Sequence, residues 1–211
     1  MAMKMNAAGA SSLPSSIPPL SKLRRLFLLD MLDKESLPEE WLQNLISLEE
    51  LTTEGCSTSL SQILRHLTSL KELSIRDCEE VDLFSDVDND GTKFQNVKCL
   101  QSLLFRKISK LESLPAYLQF VTIVRELSIY ECPSLMTLPE WIGNLTSLQN
   151  LEIKDCPNLT SLPEGMRRLT SLQYLSIRKC PHLEQRCQKE IGEDWTKIAH
   201  VPKYSNNLGM D

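Results

Sequence analysis

Leucines return along this chain at fixed intervals, with polar residues between them. Leu145, Leu148, Leu151, Ile153, Cys156, Leu159 and Leu162-Pro163 are followed 24 residues later by Leu169, Leu172, Leu175, Ile177, Cys180 and Leu183. A step of 24 backwards meets Val121, Val124, Leu127, Ile129, Cys132, Leu135 and Leu138-Pro139. A further step of 24 meets Val97, Leu100, Leu103, Phe105, Ile108, Leu111 and Leu114-Pro115. Upstream the same order persists in units of changed length, starting at Leu67, Leu45 and Leu20 and spanning 30, 22 and 25 residues. Leu13-Pro14 adds a half unit before them. Self-similarity at a fixed period is a signature of the whole architecture, so it takes precedence over local propensity.

Within each unit the seventh and ninth positions, Leu151 and Ile153 in the clearest copy, are two apart. Spacing of two puts both side chains on one face of a strand, which predicts seven short strands pairing in parallel at about 4.8 Å. The cysteine falls where the chain leaves the strand, and a small, mostly apolar thiol suits the inside of that turn. Pro133, Pro157 and Pro181 follow the cysteines and fix φ where no ladder hydrogen bond is needed. On the return path Ile17, Leu42, Leu64, Phe94, Leu118, Ile142 and Met166 each stand three before the next unit's leading position, which predicts a short 3₁₀ or helical turn packed on the strand layer. One unit cannot bury its own leucines, and stacking is what completes the core.

The pattern divides the chain into a disordered segment over 1–12, repeats over 13–182, a C-terminal cap over 183–202 and a flexible tail over 203–211. The repeats comprise the half unit and seven copies starting at 20, 45, 67, 97, 121, 145 and 169. The cap rests on a helical stripe of Leu183, Cys187 and Ile191, closed by Gly192 at C′, with Trp195, Ile198 and Val201 after it. Entry in mid-repeat at Leu13 implies further sequence before Met1.

Residues alternating with the inward pairs face the concave side. After the inward pair stand Leu29, Glu54, Arg76, Arg106, Tyr130, Lys154 and Arg178. Between its two members stand Phe27, Thr52, Ser74, Leu104, Ser128, Glu152 and Ser176. Before it stand Arg25, Glu50, Glu72, Ser102, Glu126, Asn150 and Tyr174. The first of these columns turns basic from Arg76 onward, and Arg and Tyr are frequent anchors of protein interfaces. The candidates for partner binding are Arg25, Phe27, Arg76, Leu104, Arg106, Tyr130, Glu152, Lys154, Tyr174 and Arg178, with an acidic protein surface as the expected counterpart.

Composition narrows the function. The 211 residues are 41% hydrophobic and 24% charged with a formal net charge of -5, which is globular and gives no basic field for nucleic acid. No apolar run approaches the roughly 20 residues of a membrane span, and the start carries no secretory signal. Five of the seven cysteines share one repeat position, a packing pattern that suggests a reducing compartment instead of a disulfide framework. Asp86, Asp88, Asp90 and Gly91 mimic the start of a calcium loop, but the twelfth position is Val97, not Glu. Cys180, His182, Cys187 and His200 match no zinc spacing, and two Asn-Leu-Thr sequons, at Asn144 and Asn158, arise from the repeat itself. His66, His182 and His200 are scattered, with no nucleophile and base at a useful spacing. The expectation is therefore a binding module without catalysis, cofactor or metal.

The repeat resembles the leucine-rich repeat, apart from one extra residue after the cysteine. It implies an α/β solenoid, a horseshoe with a parallel concave sheet and short helical or irregular convex segments. The Cys-Pro-x-Leu-x-x-Leu-Pro units resemble those ending plant intracellular immune receptors of the coiled-coil, nucleotide-binding, leucine-rich-repeat class. So does the tail from Cys180 through Arg186, Cys187, Gly192, Trp195, Ile198 and His200 to Pro202. The resemblance spans residues 13–202 and implies a cytoplasmic or nuclear array. Such an array senses pathogen effectors or guarded host proteins and restrains its own nucleotide-binding domain. The chain departs from that class in lacking a phosphate-binding Gly-Lys-Ser/Thr loop, so nucleotide binding is not carried over. The alternative is a stand-alone intracellular scaffold or adaptor in signalling. An extracellular receptor ectodomain fits less well, because Leu-Pro stands where such arrays carry Gly-x-Ile-Pro.

If the leucines form one shared core, Leu151→Ala costs about 2–5 kcal/mol of unfolding free energy, to be read from denaturant titration of the wild type and the variant.

Overall fold

The computed structural model describes residues 1–6, 20–30, 37–55, 60–79 and 98–206. Nine strands lie in one sheet in chain order, each parallel to its neighbours. They are β1 Ala2–Asn6, β2 Arg25–Leu29, β3 Glu50–Glu54, β4 Glu72–Arg76, β5 Ser102–Arg106, β6 Glu126–Tyr130, β7 Asn150–Lys154, β8 Tyr174–Arg178 and β9 Lys203–Asn206. The seven predicted strands are β2 to β8, each starting five residues after its unit's leading position.

The register pairs like with like. Leu103, Leu127, Leu151 and Leu175 are successive partners, as are Phe105, Ile129, Ile153 and Ile177. All eight are buried, so the alternate residues are left to the concave face. Two backbone devices hold the register. At each entry from β2 to β8 one carbonyl accepts two N–H groups from the next coil: Arg125 O takes Gln149 N at 2.8 Å and Asn150 N at 2.9 Å. At the exit a left-handed residue turns its N–H onto the next strand's last carbonyl: Glu131 N to Lys154 O is 2.8 Å and Asp155 N to Arg178 O is 3.0 Å. Asp30, Asp77, Lys107, Glu131, Asp155 and Lys179 adopt φ of 50 to 56° there, conformations that cost L-residues roughly 1–2 kcal/mol apiece. Among the described residues only Gly55 meets the same demand with the residue suited to it.

The thiols line the inside of these turns. Cys78, Cys132, Cys156 and Cys180 are buried, and each donates to the carbonyl two residues before it, at 3.2 to 3.5 Å. Neighbouring Cys132 and Cys180, together with burial, push the Cys156 thiol well above its ordinary pKa, so it is an inert packing group. On the convex side, short 3₁₀ turns span Ala116–Phe120, Glu140–Asn144 and Glu164–Arg168, and helices span Glu39–Leu42 and Leu60–Leu64. The predicted return-path residues Leu42, Leu64, Leu118, Ile142 and Met166 are buried. Ile17 and Phe94 lie outside the described residues, as does the calcium-loop mimic at Asp86 to Gly91. Consecutive turns approach so closely that a Cβ on Gly165 would lie 2.4 Å from Glu140 O.

The ends differ from the sequence reading. Ala2–Asn6 is a strand, not a disordered segment, because Met3 and Met5 repeat the inward spacing 23 residues ahead of Leu26 and Leu28 and pair with them. The chain thus has a strand ahead of Leu13. Lys203–Asn206, read as flexible, pairs with β8, and the Tyr204 ring packs tilted against Trp195 with centroids 5.8 Å apart. The cap helix is shorter than the predicted stripe: it spans Pro181–Arg186, Leu183 and Cys187 are buried, and Ile191 is 73% exposed. The chain leaves that helix because Asp194 anchors it elsewhere.

Asp194 is fully buried and binds four donors: Leu162 N at 2.9 Å, Arg186 Nε and Nη2 at 3.1 Å each, and Lys197 Nζ at 2.9 Å. Burial alone would raise its pKa, but the bonds from Arg186, Leu162 and Lys197 outweigh burial and hold the pKa below the usual carboxylate range. A depressed folded pKa adds stability above the unfolded value of about 3.9 and withdraws it as pH falls through the folded value. Asp194→Asn should cost about 2–3 kcal/mol at neutral pH. Below about pH 4 the gap to wild type should narrow in acid denaturation curves.

Thr53 takes the inward position held elsewhere by Leu28, Ile75 and Phe105, and its Oγ1 is buried without a hydrogen-bond partner. Thr53→Val should raise stability by about 1–2 kcal/mol in the same denaturant assay.

Candidate functional site

The concave face is built from the three solvent-facing positions of each strand, and the register converts sequence columns into rows of neighbours. Arg106, Tyr130, Lys154 and Arg178 are consecutive partners across β5 to β8. Leu104, Ser128, Glu152 and Ser176 form the row beside them. A depression of about 440 Å³ opens over these strands. Six of the ten candidates line it: Arg106, Tyr130, Glu152, Lys154, Tyr174 and Arg178. The other four do not. Arg25 is exposed and paired with Glu50 at 2.9 Å, Arg76 donates to Ser74 Oγ at 2.9 Å, and Phe27 and Leu104 are half-buried on their own strands.

The lining also includes Glu131, Ile153 and Ser176, which the alternation argument did not single out. Glu131 matters most. It is the left-handed residue after β6, and its carboxylate meets the Arg106 guanidinium at 3.0 Å. The signal for it lay one position beyond the column considered: Asp77, Lys107, Glu131, Asp155 and Lys179 form a column of mixed sign. These residues pair with their neighbours, Lys107 with Asp77 at 3.0 Å and Lys179 with Asp155 at 3.4 Å. The column that turns basic at Arg76 is therefore flanked by one of mixed sign. Three cations, Arg106, Lys154 and Arg178, share the depression with two carboxylates, Glu131 and Glu152.

Two aromatic side chains stand among these charges. Tyr130 donates its hydroxyl to Glu152, and burial, followed by that bond, raises the Tyr130 pKa. Tyr174 is half-buried two rows from Tyr130, in register with Asn150. Ser176 is buried at the floor and accepts a hydrogen bond from Ser205 of β9 at 3.3 Å. The arrangement suits recognition: rigid aromatic walls, fixed polar groups and charges of both signs on a sheet that does not need to rearrange. The zinc candidates are dispersed: Cys180 and Cys187 are buried, whereas His182 is exposed and His200 meets Leu169 O at 3.2 Å. Among the described residues no helix is long and apolar enough to cross a membrane.

Comparison with known proteins agrees with this geometry. A family model described as a leucine-rich repeat region matches residues 2–154. The leucine-rich repeat domain of the type III effector XopL superposes with a TM-score of 0.65 at 23% identity, over 98% of this chain and 76% of that one. A leucine-rich repeat protein of Leptospira interrogans superposes with a TM-score of 0.53 at 20% identity, over 97% of this chain and 60% of the other. At these identities the likeness is one of fold. No curated protein matches the chain.

Proposed function

We propose that this chain, which belongs to the leucine-rich repeat region family, is the recognition and autoinhibitory array of a plant intracellular disease-resistance protein or of a truncated relative. Its work is binding, not catalysis. A pathogen effector, a guarded host protein or the nucleotide-binding domain of a full-length receptor docks along the concave sheet, in the cytoplasm or the nucleus. The observation that carries the binding reading is the convergence of six solvent-facing candidates from β5 to β8 in one depression. The plant assignment rests on the Cys-Pro repeats and on the tail, whose Arg186, Asp194 and Lys197 interlock as the cap of the array.

The test is affinity capture from plant tissue, infected and uninfected, with the wild-type chain and with Arg76, Arg106 and Arg178 together changed to Glu. The expected outcome is a protein retained by the wild type and weakened about tenfold or more by the charge reversal, with circular dichroism unchanged. Retention of the same protein by both forms would remove the concave face from its binding.

A further inference from the structure

The charges of the depression are unevenly compensated, and the imbalance selects what fits there. On the β5–β6 side Arg106 is held by Glu131 at 3.0 Å, and Tyr130 reaches across to Glu152 of β7. On the β7–β8 side Arg178 has no carboxylate partner among the described residues. Lys154 has only a long contact of 3.9 Å to Asp155, which Lys179 also engages at 3.4 Å. Lys154 and Arg178 are register partners on adjacent parallel strands, so their backbones stand about 4.8 Å apart. Two long cationic side chains rooted that close can converge on one anion. Lys154 is half exposed and Arg178 is exposed, so neither is withdrawn from a ligand.

We propose that the β7–β8 half of the depression seats a single aspartate or glutamate side chain of an extended protein segment, clamped by Lys154 and Arg178 with Tyr174 as its wall. The proposal rests on the binding reading above and gives it an address and a chemistry. Guanidinium supplies a planar two-pronged donor for a carboxylate, and the ammonium beside it adds a point charge. The limit to one acid comes from the carboxylates that border the clamp, Glu152 on β7 itself and Glu131 just after β6. Glu152 and Glu131 face the same space, so a second anion beside the first meets repulsion, and an acidic tract or a nucleic-acid backbone fits poorly. A neutral or hydrogen-bond-donating residue suits the Tyr130–Glu152 side. Arg106, already neutralised, adds little.

The test is selection of twelve-residue peptides from a phage-displayed random library on the immobilised full chain, with the winners synthesised and measured by fluorescence anisotropy. The expected winners carry one Asp or Glu. Changing that residue to its amide, or the protein by Arg178→Glu or Lys154→Glu, weakens binding about tenfold or more, whereas Arg106→Glu changes it by about twofold or less. A peptide with Lys in place of the acid should regain binding to the Arg178→Glu protein, a rescue that a merely structural arginine would not give. Winners without an acid, an undiminished affinity for the Arg178→Glu protein, or no enrichment at all would overturn the proposal. Winners insensitive to Arg178→Glu but lost on Leu104→Arg would sink the clamp and leave the concave face as the binding surface. Winners indifferent to every concave substitution would remove both.

Discussion

No coil of this chain can shield its own leucines from water. Each presents a row of apolar side chains that becomes a core only when the next coil lies against it. Leu127 is covered because Leu103 and Leu151 flank it in register, and Ile129 because Phe105 and Ile153 do. Backbone polarity is settled in the same way, with N–H groups of one coil satisfied by carbonyls of its neighbour. Burial and hydrogen bonding are thus both intercoil quantities. At β1 the inward row continues with methionines, and beyond β8 the Asp194 network ties Arg186 and Lys197 to the return path at Leu162.

The spine was readable because it is periodic. Leucine positions, the Leu-x-Ile pairs and the cysteine turns all follow from one spacing, and the strands fall where that spacing puts them. The terminal strands were less legible for opposite reasons. Met3 and Met5 do carry the inward spacing, but no leucine-rich flank marks them. In β9, Lys203, Tyr204 and Ser205 do not look like a repeat strand, although Tyr204 continues the leucine row beside Leu175 and packs against Trp195. Ile191 matched a helical stripe by spacing, yet a tertiary anchor at Asp194 overrode local periodicity. The left-handed turns were invisible because Asp, Lys and Glu occupy them, where the usual marker is glycine.

The site shows the same division. Alternation alone placed the candidates on the right face, since period 2 leaves no choice about which side chains point out. It did not reveal which charges cancel. That depends on Glu131, whose direction is set by a left-handed φ and not by strand alternation. Charges one residue apart in sequence thus belong to different geometric systems, the strand and the turn, and only their meeting in space decides the field a partner encounters.

The in-register stacking of equal positions also bears on how such a chain can change over generations. Excising or duplicating one 24-residue period, the spacing from Leu127 to Leu151, would again place leucine beside leucine and cysteine beside cysteine. Unequal exchange between copies of the gene would then shuffle the solvent-facing residues in blocks while the framework stays intact. A lineage could replace its recognition surface without first losing a foldable protein.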